Sequence, residues 1–180
     1  YVHAGTSQAR IDAIASYGAE VNVVPGSYDD AVRRASADAE ANGWHVISDT
    51  SWEGYTDVPT WVMQGYTTMM SEAQDQLVEQ GIAHPTHVFV QAGVGALPAA
   101  TAGFYERRFG ADRPTHVVVE PSKAKCLLES ARIGDGQPHD VEGNLDTIMA
   151  GLACGKPSAI AWNVLWECVD AFVASPDYVA

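Results

Sequence analysis

Positive charge is scarce in this 180-residue chain, where 10 lysines and arginines stand against 23 aspartates and glutamates for a formal net charge of −13. A phosphate backbone is bound through lysine and arginine, and so negative a surface repels it, which excludes nucleic acid as a partner. Long apolar runs are missing too. No stretch approaches the roughly 18–20 apolar residues that a helix needs to cross a bilayer, so no membrane association is expected. Cysteine is sparse: Cys126, Cys154 and Cys168 show no CxxC spacing, which argues against a zinc site and against a secreted disulfide framework, and no metal is expected. Neither a leader-like nor a lipidation segment is read, so the expected compartment is the cytoplasm. What is present is apolar content, 47% against 18% charged residues, which decides for a packed globular chain over a disordered one.

The chain opens Tyr1-Val2-His3-Ala4-Gly5, like the end of a strand, and closes on Ser175-Pro176-Asp177, an N-cap followed by proline at a first helical position. Both ends fall inside an element, so an internal fragment, incomplete at both ends, is expected. Between them the pattern alternates. A helix over 7–16 precedes a short strand over 20–24. Ser27 and Asp30 have capping-box spacing, and the helix they open runs to Asn42-Gly43. A strand is predicted over 44–48. A long helix over 59–80 carries its buried stripe in Val62, Tyr66, Met69, Ala73 and Leu77. Strands over 87–90, 116–119 and 169–174 alternate with helices over 93–109, 122–132, 146–153 and 158–166, and 134–143 reads as a polar loop. Short apolar strands alternating with helices predict an α/β fold, an open and mostly parallel sheet with helices on both faces. The pattern breaks around Gly54, which divides the chain into residues 1–50 and 51–180.

Two segments carry chemistry. In Val88-Phe89-Val90-Gln91-Ala92-Gly93-Val94-Gly95-Ala96 a strand runs into a glycine turn that opens a helix. Converging backbone N–H groups and a helix N-terminus form an anion cradle in outline, although a plain strand-to-helix turn has the same sequence. It is neither a Walker loop nor a dinucleotide fingerprint, because no Lys-Ser or Lys-Thr follows and the third glycine position is Pro98. The second segment, Ser48-Asp49-Thr50-Ser51-Trp52-Glu53-Gly54-Tyr55, sets carboxylates beside an indole and a phenol just after a predicted strand. Strand ends are where open α/β sheets place ligands, and a carboxylate among rings is placed to exchange protons; equally, Asp49 could cap a turn and Trp52 could be core.

The stretch from Asp49 to Tyr55, continued by Val58-Pro59-Thr60-Trp61-Val62-Met63-Gln64-Gly65-Tyr66, resembles the diaminopropionate ammonia-lyase family. So do Gln91 to Gly95, Val119-Glu120-Pro121 and Asp146 to Gly155. The resemblance implies a fold type II pyridoxal-phosphate enzyme that eliminates ammonia from D- and L-2,3-diaminopropionate to give pyruvate, with a small amino acid as substrate and a homodimer as its assembly. It implies that 1–50 is the remainder of a smaller domain and 51–180 part of the cofactor-binding domain. Residue by residue, Ala92, Gly93, Val94, Gly95 and Ala96 match the loop for the phosphate of pyridoxal 5'-phosphate, Asp49 matches the base for the D isomer, Trp52 and Tyr55 line the substrate pocket, and Glu120 and Thr147 fall near the cofactor ring. The Schiff-base lysine of that family lies upstream of anything matched, and Lys123, Lys125 and Lys156 have no matching context, so these residues alone are expected to be inert. A non-catalytic α/β anion-binding module and a sister serine or threonine dehydratase are the alternatives. Finally, Cys126 and Cys154 fall at element ends beside the same presumed site, where Cα atoms about 4.4–6.8 Å apart would permit a disulfide.

Overall fold

The computed structural model describes residues 1–180 and divides into two compact units, Tyr1–Ile47 and Ser48–Ala180. In the first unit, β1 (Val2–His3) pairs in parallel with β2 (Val23–Val24), Val2 opposite Val23, with α1 (Gln8–Ala15) between them in sequence and α2 (Tyr28–Asn42) after them. The capping box at Ser27 forms in full: the Ser27 hydroxyl accepts from the Asp30 amide at 3.3 Å, and the Asp30 carboxylate accepts from the Ser27 amide at 2.7 Å. Gly43 closes α2 at φ +68°, a conformation that a side chain resists. The strand predicted over 44–48 does not form. Trp44 and Ile47 have strand-forming side chains but lie 59% and 75% exposed, and without a neighbouring strand to pair with such a run stays irregular.

The second unit is built on a three-stranded parallel sheet in the order β3 (His87–Gln91), β4 (Thr115–Pro121), β5 (Ala171–Ser175). Val90 stands opposite Val118, and Val118 opposite Phe172. Four helices accompany it, α3 (Asp57–Glu79), α4 (Ala96–Phe109), α5 (Cys126–Ile133) and α6 (Ala159–Cys168). Helices cover both faces of the sheet, which is why consecutive residues of β4, His116, Val117 and Val118, are all buried instead of alternating. The core gathers Ala92, Ala99, Val118, Leu127, Trp162 and Leu165, with Met63 and Phe172 packed against it. The Trp162 indole N–H donates to the Gly136 carbonyl at 3.0 Å, so the polar loop after α5 is fastened to the core. No helix is long and apolar enough to cross a membrane.

Three further expectations need correction. Met69, placed on the buried stripe of α3, is 48% exposed, whereas Gln74 is buried and satisfies its amide N–H by donating to the Ala83 carbonyl at 2.5 Å. Residues 146–153 form no α-helix, only a 3-10 turn at Ala150–Leu152. There the Thr147 hydroxyl donates to the Asp177 carboxylate and accepts from the Met149 amide at 3.2 Å, so side-chain bonds replace the helical ladder. Helix α5 begins at Cys126, four residues later than predicted, because a buried carboxylate from β4 fixes its first amides.

Candidate functional site

Parallel strands of the second unit all run toward one edge of the sheet, and the chemistry-bearing segments collect there. After Gln91 the chain makes one more sheet bond, Ala92 N–H to the Val119 carbonyl at 2.9 Å, and then turns through Gly93, Val94 and Gly95 into α4. Gly95 has φ +104°. A Cβ on Gly95 would lie 2.9 Å from Leu165 Cδ1, and one on Gly93 would lie 3.0 Å from Cys154 Sγ. A side chain at either position would press on what packs beneath the turn, and at Gly95 the positive φ adds strain. The donors lie in the backbone, since the first amides of α4 have no partner within the helix. No acidic side chain stands in the first turn of α4, and no basic one occurs between Gln91 and Tyr105. A donor set made of amides and a helix N-terminus, without a competing carboxylate, fits a phosphate group.

A chain of hydroxyls joins this turn to the acidic–aromatic segment. The Ser158 amide donates to the Val94 carbonyl at 2.8 Å. The Ser158 hydroxyl accepts from the Ser51 amide at 3.1 Å and lies 2.8 Å from the Ser51 hydroxyl, which in turn accepts from the Ile160 amide at 3.2 Å. Ser51 thus caps α6 from far away in sequence, and both serines are buried. Next to Ser51, Asp49 is half-buried and its Oδ2 accepts a hydrogen bond from the Tyr66 hydroxyl of α3 at 2.9 Å. Trp52 and Tyr55 face each other across a tight turn, rings stacked at 4.1 Å, with reciprocal backbone bonds of 3.3 and 3.0 Å and Gly54 at φ +81°. The Tyr55 hydroxyl accepts from the Ser48 amide at 3.0 Å, and burial raises the pKa of this phenol.

The remaining sequence-predicted residues have partners inside the chain. Glu120, wholly buried at the end of β4, accepts from the Leu127 amide at 2.9 Å and from the Leu128 amide at 2.7 Å. Burial pushes its carboxyl up to about 7, against the downward pull of those two amides. Thr147 is held by Asp177 and Met149 as described. Cys126 and Cys154 converge on one glycine: the Cys126 thiol lies 3.8 Å from the Gly93 carbonyl, and Cys154 Sγ lies under the same residue. All three cysteines are free thiols, and burial pushes the Cys126 thiol far up. Each lysine faces a carboxylate, Lys125 with Glu129 at 3.0 Å, Lys156 with Asp140 at 3.4 Å and Lys123 with Asp177 at 4.0 Å.

Sequence reasoning missed Ser51, Ser158 and Tyr66. Ser158 stands at the start of the helix predicted over 158–166, yet its hydroxyl makes no local cap bond. Tyr66 stands in the buried stripe and in the stretch that carries the resemblance, with no site role read for it, although a phenol there must find a hydrogen-bond partner.

The family described as pyridoxal-phosphate dependent enzyme matches residues 1–180. A curated relative from Salmonella typhimurium, diaminopropionate ammonia-lyase, is 43% identical over 180 residues, which is 100% of this chain and 45% of the relative. The holo form of diaminopropionate ammonia lyase from Escherichia coli superposes with a TM-score of 0.89 at 43% identity, covering 98% of this chain and 43% of that one. The same Escherichia coli enzyme in complex with D-serine gives a TM-score of 0.89 at 42% identity, again over 98% of this chain and 43% of that one. The chain thus spans less than half the length of the relatives it matches.

Proposed function

This chain belongs to the pyridoxal-phosphate dependent enzyme family, in its fold type II form, and from that premise we propose that the full-length protein containing it converts D- and L-2,3-diaminopropionate to pyruvate and ammonia. The observation that carries the proposal is the amide-only turn Ala92–Ala96 tied through Ser158 and Ser51 to the segment bearing Asp49. Backbone amides of Gly93, Val94, Gly95 and Ala96 hold the cofactor phosphate, and the N-terminus of α4 supplies the complementary partial charge. When bound, pyridoxal 5'-phosphate supplies an electron sink for the pair left behind by the departing α-proton. Asp49 would take up the α-proton of the D isomer. Trp52 and Tyr55 form one wall of the substrate pocket, and Glu120 and Thr147 brace the segments nearest the cofactor ring.

The Schiff-base lysine belongs to the part of the relatives that this chain does not span. The ion pairs of Lys123, Lys125 and Lys156 support that assignment. The first unit, Tyr1–Ile47, is part of a smaller domain and the second, Ser48–Ala180, part of the cofactor-binding domain, with the seam three residues before the one expected at residue 50, and the assembly is a homodimer in the cytoplasm. The reading is tested by following pyruvate release from each isomer in the full-length holoenzyme and in its Asp49→Asn variant. General-base catalysis is worth about 10²–10⁴-fold, so D turnover should fall at least 10²-fold relative to L turnover. Absence of pyruvate from either isomer in the unmodified enzyme would refute the elimination, and equal losses in the variant would refute Asp49 as the base.

A further inference from the structure

Between α3 and α4 lies an open groove of about 440 Å³, with Val164 of α6 at its side. Met63 lines it from α3, and Ala99, Ala100 and Gly103 from α4. Thr60 and Thr67 line it too, but their hydroxyls are spent on the carbonyls of Thr56 and Gln64 at 2.8 and 2.6 Å, so the lining is largely apolar. Gly103 stands inside a helix, where glycine is a poor former. No positive φ requires it, and a Cβ there would meet Val164 Cγ1 at 3.6 Å, an ordinary contact. Packing does not demand the glycine; its effect is to leave the groove open. The charge in the groove is of one sign. No carboxylate lines it, whereas Arg107 and Arg108 do. Elsewhere in Ser48–Ala180, Arg113, Lys123, Lys125, Arg132 and Lys156 each meet a carboxylate within 4.0 Å, and Arg107 and Arg108 meet none. In a chain of net charge −13 carboxylates are plentiful, so this adjacent pair stands apart. The Arg108 guanidinium lies 5.8 Å from the ring centroids of Phe104 and Phe109, contacts that leave its N–H groups free to donate.

We propose that this groove binds a small amphiphilic anion, its apolar chain lying between α3 and α4 and its carboxylate held by Arg107 and Arg108. The volume falls within the range of small-molecule sites, about 300–1,000 Å³. From Ala99 to Arg107 a helix rises about 12 Å, which gives room for an acyl chain of medium length. Burial of that chain supplies the driving force. The guanidiniums supply the preference for a carboxylate over an uncharged head, because each offers a fork of donors that matches it. An amino acid is a poor ligand here, since its ammonium group finds no carboxylate in the lining. The site is therefore separate from the substrate pocket and independent of the elimination and of the role given to Asp49.

The experiment titrates the full-length holoenzyme with decanoate and with decanol by isothermal calorimetry, below the concentrations at which either probe aggregates. Decanoate should bind once per chain and about tenfold or more tightly than decanol, the difference being the charge-assisted bonds to the head. Replacing both arginines, Arg107→Ala with Arg108→Ala, should weaken decanoate about tenfold and leave decanol within about twofold. Both side chains are exposed, so this variant keeps the fold and decides the matter even where a bulkier change does not. Gly103→Leu should fill the groove and abolish binding of both probes. Equal affinity for the two probes, or decanoate affinity unchanged without the arginines, would overturn the proposal. So would uptake of many equivalents per chain, which is partitioning and not a site. Failure of both probes to bind the full-length protein would overturn it as well, and is the result expected if the rest of that chain covers the groove. A change of oligomeric state in Gly103→Leu would give the groove to a second copy of the chain instead.

Discussion

The two edges of the three-stranded sheet are built from opposite materials. At the edge where the strands begin, charge dominates: Arg113, just before β4, bonds Asp170, just before β5, through both guanidinium nitrogens at 2.7 and 3.1 Å, and reaches Glu106 at the end of α4 at 2.7 Å. Asp170 also accepts from the His116 amide at 2.7 Å, so one carboxylate ties two neighbouring strands. At the edge where the strands end, the turn after β3 is built from backbone amides, serine hydroxyls and glycines, Lys123 and Asp177 pair beyond β4 and β5, and the buried carboxylate, Glu120, is closed off by the start of α5. The charged clamp fixes the spacing of β4 and β5 where they begin. Neutral, outward-facing donors suit an edge that must admit an anion and hold it without a side-chain competitor.

If that contrast is right, breaking the clamp should cost stability and little else. Arg113→Ala removes both ion pairs from partly exposed partners, for which a loss of about 1–3 kcal/mol is expected, between the values for surface and buried pairs. Thermal or denaturant unfolding of the full-length protein measures it. The clamp is also sensitive to acid. The bond from Arg113 holds the Asp170 carboxyl below its ordinary value of 3.8, so its contribution is present above that value and disappears as pH falls through the lowered one. An acid limb of unfolding that Arg113→Ala leaves unchanged would contradict the assignment.

Glu120 should behave in the reverse sense. Its carboxyl is raised from 4.5 to about 7 by burial, so folding takes up a proton over that range, and the stability it contributes is complete below 4.5 and declines as pH rises toward 7. Opposite ends of β4 therefore bring opposite pH dependences. Glu120→Gln should flatten the slope between pH 4.5 and 7 and cost on the order of 1–3 kcal/mol at low pH, because an amide cannot accept from both Leu127 and Leu128. A slope unchanged in the variant would assign that titration elsewhere.

Much of the fold was legible in the sequence, and the illegible part has a common cause. The β3–turn–α4 unit, the capping box at Ser27 and the strands β4 and β5 are dictated by neighbours in the chain, and they stand within a few residues of where pattern places them. What escaped depends on distant partners. The strand predicted over 44–48 needed a neighbour that does not stand beside it, and the helix predicted over 146–153 yields to a bond between Thr147 and Asp177. Likewise Ser158 looks like a local cap and is in fact the partner of Ser51, 107 residues away. Asp49, Trp52 and Tyr55 could be named as a cluster because they are close in sequence, whereas Tyr66 could not be joined to Asp49 by periodicity.

The smallest expected effect concerns the thiols. Cys126 and Cys154 converge on Gly93 as free thiols, and the proposed disulfide between them requires an oxidant to reach two buried sulfurs. Peptide mapping after prolonged exposure to oxidised glutathione should show Cys126 joined to Cys154, with Cys168 outside that pair. Peptides carrying Cys126 and Cys154 as separate thiols after that exposure would rule out the pairing.

The division of labour between the two edges is tested most directly by a crossed pair of variants, Ser158→Ala and Arg113→Ala, in the full-length apoenzyme. For each, the affinity for pyridoxal 5'-phosphate is titrated and the thermal midpoint measured. Ser158→Ala removes one buried hydroxyl partner of the segment beside the turn, so it should weaken cofactor affinity about fivefold, the equivalent of one hydrogen bond of about 1 kcal/mol. Arg113→Ala should lower the midpoint and leave cofactor affinity within about twofold. A fall in cofactor affinity as large for Arg113→Ala as for Ser158→Ala would contradict the account, since the ligand edge would then depend on the whole sheet and not on the turn and its serines.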